Sequence, residues 1–324
     1  GRMISMLRSQ VSFVHGYSTI VNENDDMLPE LYETIRQNQQ IGALRLSFRN
    51  QAINPIPILE LFRDKNGISS LYLHMSESPD HYTAMIDVLS TLNLTSFELS
   101  GVRSVHGLAD VLATHDKLKI FKLGVNIIDR GQRAAFLAAM MRMVPILGIL
   151  YRQNTNDIAQ QLKTDSIVEI LTLYQAEHED LTAFADVLKT DTTLKSLSVS
   201  SVEDFGYHVH IGHFGHFEAI LEGLRFNRSI IKLAVKNIHV DDVPSLIRML
   251  EDNTTLEVLE IGFKRLNDLP QEMKDRLIHA LERSNLLELK ISKGNPMFEP
   301  AIRAVEHNRH NAKQKGAFLL NLLM

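Results

Sequence analysis

The chain has 324 residues, 44% hydrophobic and 23% charged, with a formal net charge of −5 and no cysteine. This composition is ordinary for a globular chain, and the acidic balance gives no basic footprint for nucleic acid. The missing cysteines exclude disulfides, zinc-thiolate sites and a cysteine nucleophile, and fit a reducing compartment.

Taken in chain order, residues 1–38 follow no repeat and read as an N-terminal cap, with an amphipathic helix over Met27–Gln37. Gly1-Arg2-Met3 reads as an expression remnant ahead of a start methionine, with no signal peptide after it. From residue 39 to 294 one phrase recurs. Its strand half has the form L-x-x-L-x-[LIV], at Ile41-x-x-Leu44-x-Leu46, Ile68-x-x-Leu71-x-Leu73, Leu94-x-x-Phe97-x-Leu99 and Leu118-x-x-Phe121-x-Leu123. It continues at Val144-x-x-Leu147-x-Ile149, Val168-x-x-Leu171-x-Leu173 and Leu194-x-x-Leu197-x-Val199. The last three are Ile230-x-x-Leu233-x-Val235, Leu256-x-x-Leu259-x-Ile261 and Leu286-x-x-Leu289-x-Ile291.

The helix half carries apolar residues at helical spacing, as in Phe184, Val187 and Leu188, or Leu246, Met249 and Leu250. Polar residues such as Asp252-Asn253-Thr254 end each helix and turn the chain. Ten matches at a step of about 27 residues fall in the leucine-rich-repeat window of roughly 20–29. A repeat array overrides the two-domain prior that the length alone suggests. Ala134–Tyr151 is apolar enough to suggest a membrane span. Arg142 and Pro145 interrupt it, and the repeat phase divides it into a helix, Ala134–Met143, and a strand, Ile146–Leu150. Between the seventh and eighth strands lies a histidine-rich insertion at about 201–216, which includes most of "YHVHIGHFGHF". His208, His210, His213 and His216 lack a carboxylate within the cluster, so it reads as a structural detour, not a metal site. Residues 295–324 read as a C-terminal helical cap, a helix near Phe298–His307 and then an apolar stretch, Ala317–Met324. That last stretch is also what a chain cut from a longer protein would carry.

The phrases "HGLADVLATHDKLKIFKL" (His106–Leu123) and "MLEDNTTLEVLEI" (Met249–Ile261) resemble the ribonuclease-inhibitor-like class of leucine-rich repeats and the C-terminal half of tropomodulins. The resemblance implies an α/β solenoid: a right-handed β-α superhelix or horseshoe of about ten repeats, with a parallel concave sheet and helices on the convex face. The usual asparagine after the strand is largely missing, Asn126 and Asn237 being the nearest candidates. Divergent cysteine-free arrays of this kind resemble the leucine-rich effectors of intracellular bacteria such as Legionella. That resemblance implies a cytoplasmic protein, delivered to the host cytosol if it is an effector.

The sequence holds no phosphate-binding loop, serine-hydrolase elbow, zinc-protease helix or EF-hand. Bacterial leucine-rich ubiquitin ligases need a cysteine, which this chain lacks. Extended concave surfaces are what solenoids use for binding, and residues flanking the buried leucines point outward. Arg45, Ser47, Tyr72, His74, Glu98 and Ser100 do so in the first units, and Lys232, Lys236, Glu260, Glu288 and Lys290 in the last. In the middle, Ile120, Lys122, Ile146, Gly148, Leu150, Ile170, Thr172 and Tyr174 would form an apolar patch. A register slipped by one residue would return them to the core.

The expected function is that of a non-enzymatic module binding another protein through Tyr72, His74, Glu98, Lys122, Ile146, Leu150, Ile170 and Tyr174. The partner would be an enzyme that it inhibits or a host protein. No cofactor, metal, nucleic acid or membrane span is expected, and the chain is expected to be a monomer. One alternative is a GTPase activator of the Ran-activator type using the loop arginines Arg103, Arg130 and Arg152. Another is actin-cytoskeleton binding as in tropomodulins.

Overall fold

The computed structural model describes residues 18–21, 33, 36, 42–48, 56–63, 67–75, 79–102, 104–124, 130–150, 155–164, 166–174, 181–200, 217–264, 266–291 and 295–323. The chain forms two compact units, Gly1–Leu150 and Tyr151–Met324. Unit 1 holds strands β1 (Ser18–Val21), β2 (Ala43–Phe48), β3 (Ser70–Met75), β4 (Ser96–Ser100), β5 (Ile120–Gly124) and β6 (Ile146–Leu150). Its helices are α1 (Ile56–Glu60), α2 (Pro79–Leu89), α3 (Leu108–Leu112) and α4 (Arg130–Met143). Each strand pairs in parallel with the next. Parallel neighbours need a crossover and cannot be joined by a tight turn; α1 to α4 supply it between β2 and β6.

Unit 2 repeats the scheme. It comprises α5 (Thr155–Leu162), β7 (Ile170–Tyr174), α6 (Leu181–Leu188), β8 (Ser196–Ser200), α7 (Glu218–Phe226), β9 (Lys232–Ile238) and α8 (Val243–Asp252). Then follow β10 (Val258–Phe263), α9 (Gln271–Arg283), β11 (Glu288–Ile291) and α10 (Glu299–Leu323). Strands β7 to β11 are again parallel and in chain order. Both units are therefore α/β leucine-rich-repeat solenoids.

The motif leucines set the register. In unit 1 Leu44, Leu71, Phe97, Phe121 and Leu147 are mutual partners across the strands, and each is at most 4% exposed. In unit 2 Leu171, Leu197, Leu233 and Leu259 form the same buried row. Each leucine moved from water to full burial contributes about 2 kcal/mol. A slip of one residue would forfeit the whole row, because strand side chains alternate with a period of two.

A second device fixes the pitch where the strands begin. The Ser69 carbonyl accepts from the Thr95 and Ser96 amides at 2.7 and 3.1 Å, and the Thr95 carbonyl from Lys119 and Ile120 at 2.9 and 3.2 Å. In unit 2 the Glu169, Lys195, Ile231 and Glu257 carbonyls each accept two amides of the following repeat in the same way.

The third device lies at the helix ends of unit 2. Asn253, 6% exposed, donates from Nδ2 to the Leu224 carbonyl (2.6 Å) and the Asn227 carbonyl (3.3 Å) of the preceding repeat. Its Oδ1 accepts from the Thr255 and Leu256 amides at 2.9 and 2.8 Å. Asn227 repeats the pattern toward Leu188 and Asp191 while accepting from Ser229 and Ile230. Asp191, without donors, keeps only the accepting half, from the Leu194 amide. After the last strand Asn308 of α10 donates to the Ser284 and Leu286 carbonyls. The asparagine sought after each strand thus sits before it, at the end of the helix. Of the two candidates named from sequence, Asn237 takes a left-handed conformation (φ 64°), beside a register shift between β9 and β10. Asn126 lies outside the described residues.

Helices α7 and α8 are joined by charge. Glu222 accepts from Arg225 at 2.7 Å and from Arg248 at 2.8 Å, while Arg225 also reaches Asp252, with Nε at 2.8 Å. Burial opposes ionisation of Glu222, but the hydrogen bonds from the two arginines outweigh it and hold its carboxyl below the ordinary value.

Several details differ from the sequence reading. Strand β1 lies inside the segment read as a cap; of the helix expected over Met27–Gln37, Glu33 and Arg36 alone are described, both helical. The histidine-rich insertion lies outside the described residues. Ala134–Tyr151 contributes to α4 and then β6, and among the described residues no helix is long and apolar enough to cross a membrane. Helix α10 runs unbroken through the expected break after His307, because residues 308–315 contain no proline, and Gly316 alone costs only about 1 kcal/mol.

Replacing Asn253 by alanine strands the Thr255 and Leu256 amides and takes one donor each from the Leu224 and Asn227 carbonyls, and is expected to lower the unfolding free energy by about 3 kcal/mol in urea titration. Asn253→Asp should recover part of that loss, since a carboxylate still accepts from the two amides, as Asp191 does from Leu194, but cannot donate to the Leu224 carbonyl. A carboxyl whose folded pKa is depressed stabilises above its unfolded value, and that stability is lost as pH falls through the folded one. Urea midpoints between pH 7 and 3 should therefore fall more steeply for wild type than for Glu222→Gln. The gap between the two curves should begin to close as pH falls past the ordinary glutamate value, about 4.3, and vanish only below the depressed folded value.

Candidate functional site

Burial of the leucine row leaves the alternate positions of unit 1 on the opposite face of the sheet. Arg45, Tyr72, Glu98, Lys122 and Gly148 occupy one register row across β2 to β6. Their side chains touch in two groups, Arg45 with Tyr72 and Glu98 with Lys122 and Gly148. The Arg45 guanidinium lies over the Tyr72 ring, 3.9 Å from its centroid. Lys122 Nζ stands 3.8 Å from Glu98 Oε2. The Lys122 stem covers Gly148, where a Cβ would come within 2.9 Å of Lys122 Cγ.

The next outward row places His74 beside Ser100 and Ser100 beside Gly124. His74 Nδ1 and Ser100 Oγ are 2.9 Å apart, and Ser100 Oγ donates to the Tyr72 hydroxyl at 3.4 Å. Tyr72 is therefore held twice, by a cation over its ring and by a hydroxyl at its tip. Both Tyr72 and His74 remain half-buried and Arg45 exposed.

Four of the residues singled out from sequence, Tyr72, His74, Glu98 and Lys122, thus share one face, Tyr72 with His74 around Ser100 and Glu98 with Lys122. Ile146 pairs with Ile120 at the start of β5 and β6, both half-buried. Leu150 and Tyr174 are placed in β6 and β7 by their backbone. In unit 2 Ile170 is 36% exposed and neighbours Ser196. In unit 1 the described apolar contact is Ile120 with Ile146, and the position beside Lys122 is a glycine roofed by its stem. Two contributors were missed as site residues. Arg45 and Ser100 were legible as outward-facing, but only the strand register shows that they meet Tyr72.

In unit 2 the outward positions of β9 to β11 carry charges, Lys232, Glu260, Glu288 and Lys290. Lys290 Nζ lies 2.6 Å from Glu288 Oε1. That hydrogen bond holds the Glu288 carboxyl below, and the Lys290 ammonium above, its ordinary value. Of the loop arginines, Arg103 and Arg152 lie outside the described residues, and Arg130 is placed only as the first residue of α4. Among the described residues no group of three or more His, Asp or Glu side chains is arranged to hold a metal ion.

No protein-family model matches the sequence. Among solved structures, actin-binding site 2 of leiomodin-1 superposes with a TM-score of 0.41 at 16% identity, over 53% of this chain and 99% of its own. The tropomodulin C-terminal domain of Caenorhabditis elegans superposes with a TM-score of 0.40 at 13% identity, over 51% of this chain and 99% of its own.

Proposed function

We propose that the protein is a non-enzymatic recognition module that binds another protein through the outward face of the unit 1 sheet. The observation that carries this reading is the fixed aromatic side chain at its centre, Tyr72, held between Arg45 and Ser100. Tyrosine and arginine dominate the energetics of protein interfaces. A side chain already immobilised in the free protein costs less to order on binding. His74, Glu98 and Lys122 surround it, and Ile146 with Ile120 supplies an adjoining apolar contact. Leu150 of β6 is proposed as a further contact of unit 1, and Ile170 and Tyr174 of β7 as contacts made by unit 2. The partner in this reading is a cytoplasmic protein, an enzyme that binding inhibits or regulates.

The test is affinity capture with wild type and with Tyr72→Ala plus His74→Ala, both checked for unchanged circular dichroism. Partners retained by wild type should be lost by the double variant. Equal capture by both would remove the face from consideration.

A further inference from the structure

The outward row of unit 1 is asymmetric in how its charges are satisfied. Glu98 has Lys122 beside it, the two side chains 28% and 45% exposed. Among the described residues the Arg45 guanidinium makes no ion pair, and its recorded contact is with the Tyr72 ring. Stacking occupies the face of the guanidinium and leaves its in-plane N–H donors to other groups. A planar donor fork is the geometry that pairs with a carboxylate through two parallel hydrogen bonds. Lys122, three strands further along the same row, adds a second cation at about 14 Å, from a strand spacing of about 4.8 Å. Its 3.8 Å separation from Glu98 leaves room for a competing anion.

We infer that the partner segment seated on this face is acidic: one of its carboxylates pairs with the Arg45 guanidinium while its neighbouring side chain packs on Tyr72, and a second carboxylate reaches Lys122. This rests on the reading of the face as a protein-binding surface and adds the chemical class of what it binds. Charge complementarity is the argument for the occupant. The row carries two exposed cations against one half-buried anion, although the chain as a whole is acidic. An acidic segment gains at this row what it loses to repulsion elsewhere on the molecule, which confines it to the row.

The experiment is selection of a random dodecapeptide library displayed on phage against the intact protein. Enriched peptides are then synthesised and titrated by fluorescence anisotropy against wild type, Arg45→Ala, Arg45→Glu, Lys122→Ala and Tyr72→Ala. The expected result is enrichment of peptides carrying two or more Asp or Glu residues. Their affinity should fall about tenfold or more with Arg45→Ala, the loss of a charge-assisted hydrogen-bonded pair, and further with Arg45→Glu. The loss should be smaller with Lys122→Ala, and affinity should weaken as salt is raised. Enriched peptides that are neutral or basic, yet lost with Tyr72→Ala, would overturn this inference and leave the binding face standing. Peptides unaffected by both Tyr72→Ala and Arg45→Ala would overturn the face itself, and failure to enrich any peptide would count against both. Displacement by inorganic phosphate, well below the sodium chloride concentration of equal ionic strength, would assign the fork to phosphate and overturn the carboxylate assignment.

Discussion

The buried row of leucines and phenylalanines that runs through β2 to β6 and through β7 to β10 is the constraint on which the rest depends. Each strand side chain has one of two directions, and the apolar row can be satisfied in one of them only. Once Leu44, Leu71, Phe97, Phe121 and Leu147 are inside, Arg45, Tyr72, Glu98 and Lys122 must share the opposite face and stand in register. The contacts that define the candidate site follow from packing: residues distant in sequence meet because their neighbours are buried.

Register fixes which side chains face outward, and hydrogen bonding fixes how the repeats follow one another. The strand-entry carbonyls of Ser69, Thr95, Glu169, Lys195, Ile231 and Glu257 each serve two amides of the next repeat, and that of Lys119 serves one, since Pro145 has no N–H. In unit 2 a buried asparagine at the helix end reaches back to the repeat before it. Buried amides so fully satisfied specify one arrangement, because any other leaves polar groups unpaired in an apolar setting. Unit 1 solves the corresponding position differently. His115, at the same distance before Leu118 as Asn253 before Leu256, is buried, with Nδ1 2.9 Å from the Val111 carbonyl of its own helix. Its Nε2 is buried with no partner among the described residues. The link that asparagine makes between repeats is replaced there by one within a repeat.

The repeat was legible because ten phased copies of one apolar pattern are hard to produce by any other architecture. The outward positions were legible for the same reason, and Tyr72, His74, Glu98 and Lys122 were read from the alternation alone. Strand β1 was not, because its segment "STIV" has no leucine pattern and is recognised only by pairing with β2. The asparagine device was overlooked because it was sought after the strand, although "DNTT" at Asp252–Thr255 carries it in plain view. The cover over Gly148 was not legible, because glycine has no side chain to show and the Lys122 stem that lies over it comes from the neighbouring strand. The pairing of Arg45 with Tyr72 needed the register between two strands 27 residues apart, which the alternation within one strand does not give.

The central claim is that Arg45 and Tyr72 act as one prearranged unit in recognition. A double-mutant cycle on partner affinity, with Arg45→Ala, Tyr72→Ala and the pair, measures this most directly. Removal of either side chain should weaken binding, and removal of both should cost less than the sum, with a coupling of about 1 kcal/mol or more, as residues in direct contact show. Strictly additive losses, or no loss from either variant, would contradict the account.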